Sequence, residues 1–151
     1  MDMLVKEIMR SPVITVHQDA SVRKAAQVMN EAEVGSVIVC TDNKGIGIVT
    51  ERDILKFIAR GGDAKKTKVS EIMSKPLIVV SPETDLEEAV KFMIAKKIKK
   101  LPVVDEGKLV GIFTLTDVAR IEPLLMKALK SLIAQGLARK FEKYIKPSYI
   151  A

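Results

Sequence analysis

Gly47-Ile48-Val49-Thr50-Glu51-Arg52-Asp53 returns 64 residues later as Gly111-Ile112-Phe113-Thr114-Leu115-Thr116-Asp117. Each copy reads Gly, two apolar residues, Thr, two variable residues and Asp, and an apolar run follows. The pattern predicts a short buried strand that ends at Thr and a helix that begins there, with Asp one turn in. Helix capping alone explains a single Thr-x-x-Asp. The hydroxyl caps the first turn, and an acidic group three positions on is favoured by the helix dipole.

The repeat extends well beyond this stretch. Shifting the chain by 64 residues aligns Val5–Phe57 with Val69–Ile121 without a gap. Val5, Glu7, Ile8, Met9, Pro12, Ile14 and Val16 match Val69, Glu71, Ile72, Met73, Pro76, Ile78 and Val80. Ala25, Met29, Val39 and Lys44 match Ala89, Met93, Val103 and Lys108. Two copies suit an internal pair better than a solenoid, which needs about three or more units.

At 151 residues the chain can bury about 68–70% of its unfolded surface, so it needs no disulfide or metal staple. Cys40 is the single cysteine and reads as a small buried hydrophobe in a reducing compartment. His17 is the single histidine, so neither a zinc cluster nor a Ser/His or Cys/His pair is expected. The N-terminus lacks a basic stretch followed by an apolar one, and no apolar run approaches the ~20 residues of a membrane span. A cytoplasmic protein without membrane association is expected. The net charge of +6 favours anionic partners: nucleotides, nucleic acid or acidic proteins.

Periodicity orders the elements. Val13–Val16 predicts a strand, and Ser21–Glu33 a helix capped by Ser21, with Val22, Ala25, Ala26 and Met29 on one face. Ser36–Cys40 and Gly45–Thr50 predict a hairpin with a tight turn over Thr41-Asp42-Asn43-Lys44-Gly45, and Glu51–Ala59 a second helix. The second copy predicts a strand at Leu77–Val80 and a helix at Asp85–Lys97. A hairpin of Leu101–Val104 with Lys108–Thr114 follows, then a helix from Leu115. The fold class is α+β, as two β-α-β-β-α repeats. Boundaries are expected at 1–63, 64–121 and 122–151. In the last segment Leu125, Leu129, Leu132, Ile133, Leu137, Phe141, Tyr144 and Ile145 predict an amphipathic basic helix.

Several residues carry a family resemblance: the Met9–Pro12 and Met73–Pro76 lead-ins, Leu101-Pro102-Val103-Val104-Asp105, and both Gly-to-Asp junctions. In this order, and twice, they resemble the CBS domain, named after cystathionine β-synthase. The tandem resembles a Bateman module, a pseudo-twofold CBS pair. The resemblance covers residues from about 5 to 121.

The resemblance implies clefts between the repeats that hold adenosine-containing ligands. Asp53 and Asp117 would accept hydrogen bonds from ribose hydroxyls, and Thr50 and Thr114 would offer hydroxyls to ribose or phosphate. Asp117, with Thr116 beside it, would face Met9, Ile14, Val34 and Gly35. Asp53 would face Met73, Ile78, Ile98 and Lys99. Arg52, Lys99 and Lys100 make the Asp53 site the expected phosphate binder, for AMP, ADP or ATP. The Asp117 site has Arg10 and Arg120 as its nearby cations, and could hold adenosine or S-adenosylmethionine or stay empty. The expected protein is a regulatory module with no obligatory cofactor and no enzyme activity. It would pair into a homodimeric four-repeat disc and act on a separate effector protein. Two alternatives are a nucleic-acid-binding module, disfavoured by the few aromatics, and a structural adaptor whose Thr-x-x-Asp junctions only cap helices.

Overall fold

The computed structural model describes residues 3–124 and 127–128. The apolar stripe expected from Leu125 to Ile145 lies outside the described residues. The elements are β1 (Thr15–His17), α1 (Val22–Ala32), β2 (Ser36–Thr41), β3 (Lys44–Thr50), α2 (Glu51–Ala59), α3 (Leu86–Lys96), β4 (Lys100–Asp105), β5 (Lys108–Thr114) and α4 (Leu115–Ile121). Single 3₁₀ turns at Val5–Glu7 and Val69–Glu71 form the two lead-ins. The class is α+β, as expected.

In the first sheet β1 runs parallel to β2, and β2 antiparallel to β3. In the second, β4 pairs with β5. Both hairpins turn through two residues with positive φ, Asp42 and Asn43 in one, Glu106 and Gly107 in the other. Such turns match the right-handed twist of the flanking strands.

The strand expected over Leu77–Val80 does not form. Only Val80 makes a bridge, parallel to Val103. Proline explains the difference. In the first repeat the Ile38 amide donates to the Ile14 carbonyl at 3.3 Å. The residue matching Ile38 is Pro102, which has no N–H to give, so the ladder cannot extend past Val80.

Contacts divide the chain into two compact units that exchange their lead-ins. One holds the described residues up to Ser11, Val79–Glu106, and the described chain from Val110. The other holds Pro12–Ile78 and Gly107–Leu109. The first repeat's lead-in therefore belongs with the second repeat's helices and hairpin. Val5 and Ile8 join the core built by Leu86, Met93, Leu101 and Phe113. The reverse holds for Val69, which joins Val16, Ala25, Met29, Val37 and Val49.

The backbone repeats this exchange at matching atoms. The Arg10 amide donates to the Ile112 carbonyl at 2.8 Å, and the Ile112 amide returns a bond to Arg10 at 3.1 Å. Ser74 and Ile48, the matching pair, bond at 2.9 and 3.1 Å. Glycine is required where the lead-in crosses. A Cβ on Gly111 would sit 2.8 Å from Met9 Cγ, and one on Gly47 would sit 2.6 Å from Met73 Sδ. The Met of each lead-in thus fills the space left by the Gly that opens each junction.

Candidate functional site

Each junction turns from strand to helix without a loop. Thr50 ends β3 and caps α2; Thr114 ends β5 and caps α4. Both threonines are extended, at φ −110° and −128°, as a cap requires. Thr50 Oγ1 accepts the Asp53 amide at 3.2 Å, and the Thr50 amide donates to Asp53 Oδ2 at 2.9 Å. The matching bonds at Thr114 and Asp117 are 3.1 and 3.0 Å.

Capping therefore accounts for these motifs in part. Each is a reciprocal capping box that satisfies two amides at the helix start. The box engages Oδ2 of each carboxylate. Oδ1 lies outside it, and an ionised carboxylate has acceptor sites to spare.

The two carboxylates sit in unlike surroundings. Asp53 is half-buried. Asp117 is 2% exposed and ranks among the few buried polar residues. Its Oδ1 accepts from the Arg10 guanidinium, and Arg120 Nη1 lies 4.0 Å away, one turn along α4. Burying an ionised carboxylate is costly unless it is paired and hydrogen-bonded, and here it is both. At the position of Arg10 the other repeat has Ser74. Sequence comparison alone exposes that asymmetry, but it does not show that Arg10 reaches Asp117.

The other residues singled out by sequence divide between the units. Met9, Arg10, Ile98, Lys99, Lys100, Thr116 and Arg120 share a unit with Asp117. Ile14, Val34, Gly35, Arg52, Met73 and Ile78 share the other with Asp53. Gly35 stands at the Asp53 junction itself: its carbonyl accepts the Glu51 amide at 3.0 Å. Arg52 and Arg120 are exposed.

Between α1 and α2 an open groove of about 540 Å³ is lined by Met29, Asn30, Glu33, Val34, Glu51 and Ile54, among others. Its two glutamates oppose an anionic ligand, so this groove does not suit a phosphate. His17 is exposed, and its Nδ1 accepts the Asp19 amide at 3.1 Å, a local turn contact. Burial pushes the Cys40 thiol up from its ordinary value, which keeps it protonated and unreactive at neutral pH. Among the described residues no three His, Cys, Asp or Glu side chains gather as a metal site. Among them, too, no helix is long and apolar enough to cross a membrane.

The family profile of the CBS domain matches residues 5–60 and 69–123. The chain belongs to the CBS domain family. The uncharacterized protein MK0525 of Methanopyrus kandleri is 37% identical over 129 residues; the match covers 83% of this chain and 66% of that protein. The CBS domain-containing protein YhcV of Bacillus subtilis is 39% identical over 116 residues, covering 76% of this chain and 82% of YhcV. Among solved structures, the CBS domain pair of protein MJ0100, in complex with 5′-methylthioadenosine and S-adenosyl-L-methionine, superposes with a TM-score of 0.72. It is 29% identical, with 80% of this chain and 96% of that one covered. The CBS matches begin at residues 5 and 69, where the two lead-ins begin, so each CBS copy starts with the segment that packs on the other copy's helices and hairpin.

Proposed function

We propose that this CBS pair is a regulatory module that senses adenosine-containing compounds at its two Thr-x-x-Asp junctions. One observation carries the reading: two matched junctions each present a carboxylate whose Oδ1 lies outside the capping box. In this reading Asp53 and Asp117 accept the ribose hydroxyls, and Thr50 and Thr114 flank them. Met9 and Met73, on the crossing lead-ins, belong to the adenine pockets together with Ile14, Val34, Gly35, Ile78, Ile98 and Lys99. Arg52 serves phosphate at the Asp53 site, Arg10 and Arg120 at the other. The bound adenosine compounds of MJ0100 support the ligand class. AMP, ADP, ATP and S-adenosylmethionine are the compounds to try.

Ligand acts by favouring one arrangement of the repeats or of paired modules, which requires different affinity for the two arrangements. The module itself catalyses nothing and works in the cytoplasm on a separate effector. Leu55 and Ile58 stand 64% and 59% exposed on α2, an apolar face suited to pairing two modules into a four-repeat disc. A monomer in sedimentation velocity refutes that pairing. Thermal melting tests the ligand class. A compound present at 100 times its dissociation constant stabilises by about 2.7 kcal/mol, which raises the melting temperature by several degrees. Unchanged melting with every adenosine compound favours the adaptor alternative, to which the satisfied capping boxes also lend support.

A further inference from the structure

We propose that Arg10 is the anion-selecting residue of the Asp117 junction, an exchangeable cover. It pairs with the buried carboxylate until ribose hydroxyls replace it, and it then serves the anionic tail of the incoming adenosine compound. The proposal rests on the ribose-binding reading of Asp117 given above.

Three observations within one unit carry it. First, Asp117 is closed: its side chain is 3% exposed while that of Arg10 is 59% exposed. Arg10 donates to Oδ1, the oxygen outside the capping box, so a ribose hydroxyl takes that oxygen only as Arg10 moves aside. Second, only the side chain of Arg10 is free to do so. Its backbone is pinned by both bonds to Ile112, and the next residue is pinned by the Ser11 hydroxyl, which donates to the Val110 carbonyl at 2.6 Å. Third, the exchange is balanced. The carboxylate keeps the Thr114 amide on Oδ2, and Arg120 stays 4.0 Å from Oδ1. Two vicinal hydroxyls can replace the donor that leaves, so the buried charge is never stranded. Once displaced, the guanidinium would stay tethered beside the site by its pinned backbone.

Selectivity follows from the charge. A neutral nucleoside breaks an ion pair and returns hydrogen bonds from uncharged hydroxyls, leaving the guanidinium without an anion. A nucleotide, or any adenosine compound with an anionic tail at the 5′ position, restores the pair through its own anion, where arginine binds bidentately. The other repeat has Ser74 in this place and lacks the device.

The test is titration calorimetry with AMP and with adenosine, in chains carrying Asp53→Asn so that one junction reports. Arg10→Gln keeps a donor for Asp117 but removes the charge. It is expected to tighten adenosine and weaken AMP, so that the AMP-over-adenosine preference falls about tenfold or more, the scale of one charge-assisted bond. Arg10→Lys retains most of the preference. An unchanged preference in Arg10→Gln, with binding abolished by Asp117→Asn, overturns the role of Arg10 alone. Loss of all binding in the Asp53→Asn background, with binding intact in the natural chain, overturns the role of the Asp117 junction. No binding in the natural chain overturns the ribose reading and the proposal with it.

Discussion

Asp53 and Asp117 hold equivalent places in the repeat but unequal energies. Each closes a capping box, a contribution of about 1 kcal/mol when removed. Asp117 adds the charge-assisted bond from Arg10. That bond is discounted because the guanidinium remains largely in water, so Asp117→Ala is expected to cost about 2–3 kcal/mol in total. Urea denaturation of the two alanine variants reads the difference. Equal midpoints would mean that Arg10 contributes nothing to the fold. The boxes themselves were legible, since Thr followed by Asp at the third position is a local code. The Arg10 pair was legible only in part: the resemblance puts Arg10 near Asp117 but not bonded to it. The pair joins residues 107 apart in the chain, and it depends on the register of Arg10 against Ile112, which no local pattern encodes.

Among the elements, the helices and hairpins followed from their periodicity and turn residues. Helix α3 shows why: Leu86, Ala89, Val90, Met93 and Ile94 are all buried, one apolar stripe at helical spacing. Leu77–Val80 misled because composition proposes a strand while the partner decides it. The deciding residue, Pro102, lay in the motif that supported the family resemblance. Replacing it restores a donor. In Pro102→Ala the new amide is expected to gain hydrogen-exchange protection through a bond like that of Ile38. Stability should change little, because the net gain of about 1 kcal/mol from a hydrogen bond is offset by the larger unfolded-state entropy of a chain without that proline. Free exchange at residue 102 would show that something other than the missing N–H stops the ladder.

For the whole molecule, the exchanged lead-ins matter most. The 64-residue repeat announces two like units, yet each unit borrows its first segment from the other copy. A sliding comparison cannot reveal this, since it aligns segments without saying where they pack. A chain beginning at Pro12 therefore loses Val5 and Ile8 from the core of the second repeat. At about 1.5–3 kcal/mol for each fully buried side chain, the cost is roughly 3–6 kcal/mol. Hydrogen exchange should show protection lost across α3, β4 and β5 and retained in β2 and β3. Loss confined to the first repeat would contradict the exchange. Met9 and Met73 lie on the crossing segments beside the junction glycines, so under the proposed reading a ligand held at a junction would touch chain from both copies.

The measurement that bears most directly on the central claim is calorimetric titration of ligand-free protein with AMP and S-adenosylmethionine, beside Asp53→Ala and Asp117→Ala. Binding that disappears selectively in one variant, while that variant still melts cooperatively, is the predicted result and identifies the junction that binds. No heat from either compound in folded, ligand-free protein would contradict the sensor reading and leave the junctions as helix caps.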